Sequence, residues 1–206
     1  MERIYYPVKV LGPGDRVGIW MRGCDKNCDG CLSPEMKLYD KSKEININDI
    51  VRMISSIPNR IEGVTISGGE PFYNPAALCE LVSKLNDITD DILVFSGYTY
   101  EELIVRNDEH IIQVFKIISA IIDGPFSKEL HSDIGLKGSS NQRIIAFKHF
   151  DKYENVDFER RELQIVIADK RLISIGIPNN PITELNNKMH QSDVYNKFQM
   201  GTDLLG

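Results

Sequence analysis

The feature that most constrains how this chain can fold is a recurring unit: a short β-branched run, a glycine-containing break, then a helical pattern. Residues 63–67 (GVTIS) read as a strand stopped by Gly68-Gly69. Asn74-Pro75 then supplies an N-cap and a first-turn proline for a helix through about Leu85. Residues 92–96 (ILVFS) form the next strand, Gly97-Tyr98 a turn, and Thr99-x-x-Glu102 a capping box opening a helix toward Val105. Residues 117–123 (IISAIID) repeat the strand more loosely and end at Gly124-Pro125. Ahead of these units, residues 16–21 (RVGIWM) read as a strand. Ile47, Ile50, Val51, Ile54 and Ile57 recur at helical spacing between Asn46 as cap and Pro58.

Strands alternating with helices at this spacing imply right-handed crossovers and a mainly parallel sheet, open or curled into part of a barrel. The class is α/β, and no sequence repeat supports a solenoid. A chain of 206 residues suits one sizeable domain, burying roughly 70% of the surface its unfolded form exposes. Beyond about Phe150 the character changes. Residues 163–168 (LQIVIA) and 172–177 (LISIGI) flank Asp169-Lys170-Arg171 and read as a β-hairpin, and from Asn179 onward the chain is a polar, weakly patterned tail. The expected organisation is a core domain over residues 1–150 and an extension, hairpin plus tail, over residues 151–206.

A net charge of −6 argues against broad binding to nucleic acid or anionic membranes. No stretch approaches the roughly 20 apolar residues of a membrane span, and the first residues lack the pattern of a cleaved leader. The reading is therefore a cytoplasmic protein with neither nucleic acid nor membrane as partner. Four cysteines in such a chain are too few for a disulfide framework, and three of them, Cys24, Cys28 and Cys31, cluster in RGCDKNCDGCLSP. Cys79 stands apart within a helix and reads as core packing.

In a parallel α/β sheet the loops that follow strands emerge at one edge, where such folds place their active sites. Four unusual loops do so here: the cysteines, Gly68-Gly69-Glu70-Pro71, Ser96-Gly97-Tyr98 and Asp123-Gly124-Pro125-Phe126. Singly each has a structural reading, since Gly-Gly is often a turn and Asp123 a cap. Together, glycines that let a ligand approach the backbone and a carboxylate, Glu70, that can receive an amine suit a small zwitterion beside a metal.

Three chemistries use Cys-x-x-x-Cys-x-x-Cys. A structural zinc site needs a fourth ligand, and the distant candidates are Cys79, His110, His131, His149 and His190, which show no paired ligand spacing. A redox dithiol fits Cys28-Asp29-Gly30-Cys31 but leaves Cys24 unexplained. An iron–sulfur cluster normally takes four thiolates, so three leave one iron free for an exogenous molecule.

Cys24-x-x-x-Cys28-x-x-Cys31 after the first strand, with Gly-Gly-Glu-Pro after the second, resembles the radical S-adenosylmethionine (SAM) superfamily, whose core is a complete or partial (β/α) barrel. The resemblance implies a 4Fe-4S cluster on Cys24, Cys28 and Cys31, with SAM on the open iron and its methionyl end against Gly68, Gly69, Glu70 and Pro71. Gly30, Cys31, Leu32, Ser96 and Asp123 complete the implied cofactor contacts, and no catalytic side chain is expected beyond them. Reductive cleavage of SAM to a 5'-deoxyadenosyl radical is the implied chemistry.

A closer resemblance is to the anaerobic ribonucleoside-triphosphate reductase activating proteins, which generate glycyl radicals. The matching stretches are Gly12-Pro13-Gly14-x-Arg16, Gly30-Cys31, Ser67-Gly68-Gly69-Glu70-Pro71, Gly97-Tyr98, Asp123-Gly124-Pro125-Phe126 and Gly138-Ser139-Ser140-Asn141-Gln142. Many radical SAM enzymes carry an aromatic before the third cysteine, whereas Gly30 agrees with the activating proteins. The implied partner is a glycyl-radical reductase whose glycine Cα–H is the target, and the implied electron donor is reduced flavodoxin or ferredoxin. Asn141 and Arg143 anchor a carboxylate or partner backbone on one reading and order a loop on another. The hairpin near residues 165–175 docks a partner or closes the open side of the barrel. Two other functions stay open: a stand-alone radical enzyme resembling the carboxy-deazaguanine synthases or peptide maturases, and a zinc-binding interaction module.

Overall fold

The computed structural model describes residues 1, 3–133, 135–154, 156, 162–168 and 171–177. The polar tail from Asn179, with His190, and the turn residues Asp169 and Lys170 lie outside the described residues. The strands are β1 (Arg3–Val8), β2 (Arg16–Met21), β3 (Gly63–Gly68), β4 (Ile92–Phe95), β5 (Ala120–Asp123), β6 (Arg143–Ala146), β7 (Gln164–Ala168) and β8 (Arg171–Ile175). The helices are α1 (Ile47–Ser55), α2 (Pro75–Leu85), α3 (Tyr100–Val105), α4 (Glu109–Ile117) and α5 (Phe150–Tyr153).

β1 to β6 form one open sheet in sequential order, with β2 to β5 parallel and β1 and β6 antiparallel at the edges. β7 and β8 form a separate antiparallel hairpin, as the sequence suggests. Residue 117, read as the start of a strand, is instead the last residue of α4, whose Asp108 cap accepts from His110 N and Ile111 N. The apolar run IISAIID crosses the helix–strand boundary without interruption, so nothing in its pattern marks the change.

Right-handed crossovers between sequential parallel strands put α1 to α4 on one face. The period-two alternation follows: Val64, Ile66, Ile92, Val94 and Ile121 join α1, α2 and α4 in the main core. Leu93, Ala120 and Ile122 turn to the other face, beneath Tyr153 and Val156. The rest of that face is covered by the hairpin, where Ile175, 2% exposed, packs with Val8 and Leu11, and Val166 and Ile173 pack beside Trp20 and Phe95. Gln164 ties the hairpin to β1, accepting from Lys9 N at 3.0 Å and donating to Pro7 O at 2.8 Å.

At the strand-start edge Arg16 is wholly buried. Its guanidinium donates to Thr65 Oγ1 (2.8 Å), Val64 O (2.8 Å), Pro13 O (3.0 Å) and the Asp91 carboxylate (3.2 Å). Burial alone would push the Asp91 carboxyl up, but Arg16, Tyr153 and Lys152 together hold it below its ordinary range. Gly63 is required here, since a Cβ would lie 2.3 Å from Arg16 Nη1. This plugged end leaves the opposite edge for the site.

Candidate active site

β2 ends at Met21, and residues 22–33 run without helix or strand. The loop is fixed by its ends: Gly23 N donates to Met36 O (2.9 Å), Cys24 N to Lys37 O (3.0 Å), and Arg22 to Glu35 O (2.7 Å) and Leu38 O (3.1 Å). The loop after β3 closes on it from the next strand, with Gly69 N bonded to Met21 O and Glu70 N to Gly23 O, both at 2.8 Å. A Cβ at Gly68 would lie 2.3 Å from Met21 O, and one at Gly69 would lie 2.4 Å from Gly23 O. Gly-Gly is thus demanded by the close approach of two backbones.

Glu70 is 2% exposed. Its carboxylate accepts from Phe72 N (2.9 Å), Ser96 Oγ (3.0 Å) and Gly97 N (2.7 Å), joining the loops after β3 and β4. Burial raises its pKa to about 7 against the pull of those three donors. Ser96 Oγ in turn accepts from Tyr98 N at 3.0 Å.

The loop after β5 is braced by residues 138–142. Gln142 donates to Gly124 O (2.8 Å) and accepts from Gly138 N (2.8 Å), and Asn141 donates to Pro125 O (2.8 Å). Asp123 accepts from Tyr100 N (2.7 Å) and from Arg143 Nε (3.0 Å), and Arg143 also pairs with Glu101 (2.6 Å). Of the two readings for Asn141 and Arg143, the structure supports loop ordering.

A cavity of about 370 Å³ lies between these loops. Cys24, Cys28 and Cys31, all free thiols and half-buried, line it with Leu32, Gly68, Gly69, Glu70 and Ser96. Gly30, Pro71 and Asp123 do not line it: Gly30, at φ +70°, lies behind Cys31 near Phe126, Pro71 is buried, and Asp123 is held by Arg143. Lys26, Gly97, Gly124 and Phe126, on loops that the sequence places at this edge but to which it gives no individual contact, line the cavity too, as does Gln142. Several of these sit in stretches that carried the family resemblance, so a strand-end position next to glycine was the available signal. Ser174, Ile175 and Gly176 of the hairpin also line the cavity, which agrees with the expectation that the hairpin closes an open side, though no sequence signal singles out these residues.

Among the described residues, no three His, Cys, Asp or Glu side chains converge on one metal ion. A mononuclear zinc site needs such convergence, whereas a 4Fe-4S cube takes each thiolate at a separate iron. Three thiols without a fourth, beside glycine backbone, fit a cluster with one open iron and a small ligand. Burial pushes the Cys24 thiol up, so an electrophilic metal is what would deprotonate it. Cys79 packs partly buried against the main core on α2, away from this cavity.

The profile of a family described as a 4Fe-4S single cluster domain matches residues 10–145. The anaerobic ribonucleoside-triphosphate reductase-activating protein of Enterobacteria phage T4 is 30% identical over 148 residues, 69% of this chain and 91% of its own. That of Vibrio cholerae is 31% identical over 153 residues, 69% of this chain and 96% of its own. The pyruvate formate-lyase-activating enzyme of Staphylococcus epidermidis is 33% identical over 81 residues, 37% of this chain and 32% of its own. No solved structure matches the chain significantly. Among the described residues no helix is long and apolar enough to cross a membrane.

Proposed function

This chain belongs to the radical SAM activating enzymes built on a 4Fe-4S single cluster domain, and from that membership we propose that it installs a glycyl radical on an anaerobic ribonucleoside-triphosphate reductase. The observation that carries the proposal is the meeting of three thiols and the Gly-Gly-Glu loop in one cavity. The reductase-activating relatives, matched over more than nine-tenths of their own length, support the choice of partner.

Cys24, Cys28 and Cys31 would hold the cluster, and Leu32, Gly68, Gly69, Glu70 and Ser96 the SAM. When bound, these cofactors supply one-electron cleavage of a sulfonium to a carbon radical that removes a hydrogen atom. The chain's own part is positional. Gly68 and Gly69 bring bare backbone to the cavity. Glu70 holds the loops after β3 and β4 at fixed spacing, and Phe126, Phe95 and Trp20 wall the cavity against water. Gly30, Pro71 and Asp123 act behind the wall by shaping the loops that present those contacts. Reduced flavodoxin or ferredoxin is the electron donor in this reading, and the cytoplasm its setting. The radical core is assigned to residues 1–150 and an extension to residues 151–206, whose described hairpin forms one wall of the cavity.

The test is anaerobic: reconstituted protein, SAM, reduced flavodoxin and the reductase, followed by electron paramagnetic resonance and 5'-deoxyadenosine assay. A glycyl doublet appearing in step with 5'-deoxyadenosine is expected. 5'-Deoxyadenosine without a glycyl signal would refute the assigned partner.

A further inference from the structure

Tyr98, 7% exposed, sits just past β4 with its backbone tied on both sides, its N to Ser96 Oγ at 3.0 Å and its O to Gly124 N at 2.9 Å. From this rigid base its hydroxyl donates to the carboxylate of Asp25, between the first two clustered cysteines. Lys26 Nζ lies 3.6 Å from the centre of the Tyr98 ring and Arg106 Cζ 3.8 Å from it. Two cationic groups that close to one ring centre can only occupy opposite faces. The Lys26 backbone N–H, in turn, points at Cys24 Sγ at 3.4 Å. No helix or strand stiffens residues 22–33, so beyond the backbone anchors at Gly23 and Cys24 these contacts, with the ion pair of Lys26 to Glu102 (3.8 Å), locate Asp25 and Lys26.

We propose that Tyr98 is a positioning residue of the cluster loop: by gripping Asp25 and Lys26 it holds the Lys26 N–H donor on the Cys24 sulfur. Donors to ligating sulfur favour the more negative, reduced cluster, and so raise its potential. Residues outside the ligand set thereby set how readily the site accepts its electron. The inference rests on the reading of Cys24 as a cluster ligand.

The experiment compares reconstituted wild type, Tyr98→Phe, Asp25→Ala and the double variant. Tyr98→Phe keeps the ring for both cations and removes only the hydroxyl. The readouts are a redox titration followed by electron paramagnetic resonance and the rate of iron loss to a chelator. Tyr98→Phe is expected to titrate at a more negative potential, and each single variant to lose iron roughly tenfold faster. In iron loss the double variant is expected to match either single one, because both break the same contact. Asp25 is exposed, so iron loss in Asp25→Ala carries the test should Tyr98→Phe fold poorly. A wild type with iron and sulfide but unchanged potential and iron loss in the variants overturns the role of Tyr98 alone. Additive effects in the double variant overturn it too. A wild type that binds no cluster overturns the ligand reading and this inference together.

Discussion

Glu70 has almost no contact with water, and Gly97 N, Phe72 N and Ser96 Oγ supply only part of the stabilisation that water would give its charge. Its pKa therefore rises from 4.5 to about 7, with burial the largest cause. Because the folded value lies above the unfolded one, the native state holds its proton longer than the unfolded chain as pH increases. The stability contribution is complete below about pH 4.5, declines through the window to about 7, and is gone above it. At about 1.4 kcal/mol per pH unit, the shift is worth about 3 kcal/mol. Glu70→Gln removes the titration while leaving one oxygen for Phe72 N and Ser96 Oγ. The lost acceptor for Gly97 N costs about 1 kcal/mol at every pH. The two proteins are thus expected to be about equally stable at pH 5, and the variant the more stable by about 2 kcal/mol at pH 8. Urea unfolding of the metal-free, reduced proteins, followed by the fluorescence of Trp20, the single tryptophan, measures this directly. About 2.5 kcal/mol of the shift falls between pH 5 and pH 8, so with an m-value of about 2 kcal/mol/M the midpoint difference between the two proteins should move by about 1.2 M. Other titrating groups are common to both proteins and cancel. An unchanged midpoint difference would refute the reasoning that the buried charge is what this loop junction tolerates at a cost.

The cysteine assignment predicts that Cys28→Ala abolishes the cluster, since two thiolates cannot hold it, whereas Cys79→Ala keeps wild-type iron and sulfide; iron loss in Cys79→Ala would contradict the ligand set. The hairpin's seat predicts that Ile175→Asp, which buries a charge against Val8 and Leu11, detaches β7 and β8 and raises acrylamide quenching of Trp20. Far-ultraviolet circular dichroism should stay near wild type, because the six-stranded sheet does not include the hairpin. Quenching equal to wild type would show that Trp20 is not covered as described.

Legibility tracked how local each signal is. α2 lies where Asn74-Pro75 and its apolar spacing put it, and α3 opens on the capping box at Thr99 and Glu102, because caps and periodicity act within a few residues. The edge strands β1 and β6 escaped the sequence reading. β1 contains Pro7, which suits only an edge, and β6 is four residues long, so both are defined by the neighbours they pair with. Asp123 was readable as a polar strand-end residue, but its partner Arg143 lies 20 residues away and turns its carboxylate to β6. Gly68 and Gly69 were readable as a break; that they are required by the carbonyls of Met21 and Gly23 is a property of two strands brought side by side.

By itself the sequence determined the α/β class, the segments that form its parallel strands and the three thiols after the first of them, because these follow from hydrophobic period, turn residues and spacing along the chain. Only the tertiary structure decided that Glu70 joins two loops, that Tyr98 grips the cluster loop, and that the hairpin beyond the shared family region forms a wall of the same cavity. Each of these joins residues tens of positions apart, and such contacts depend on how elements pack against one another, which no local pattern encodes.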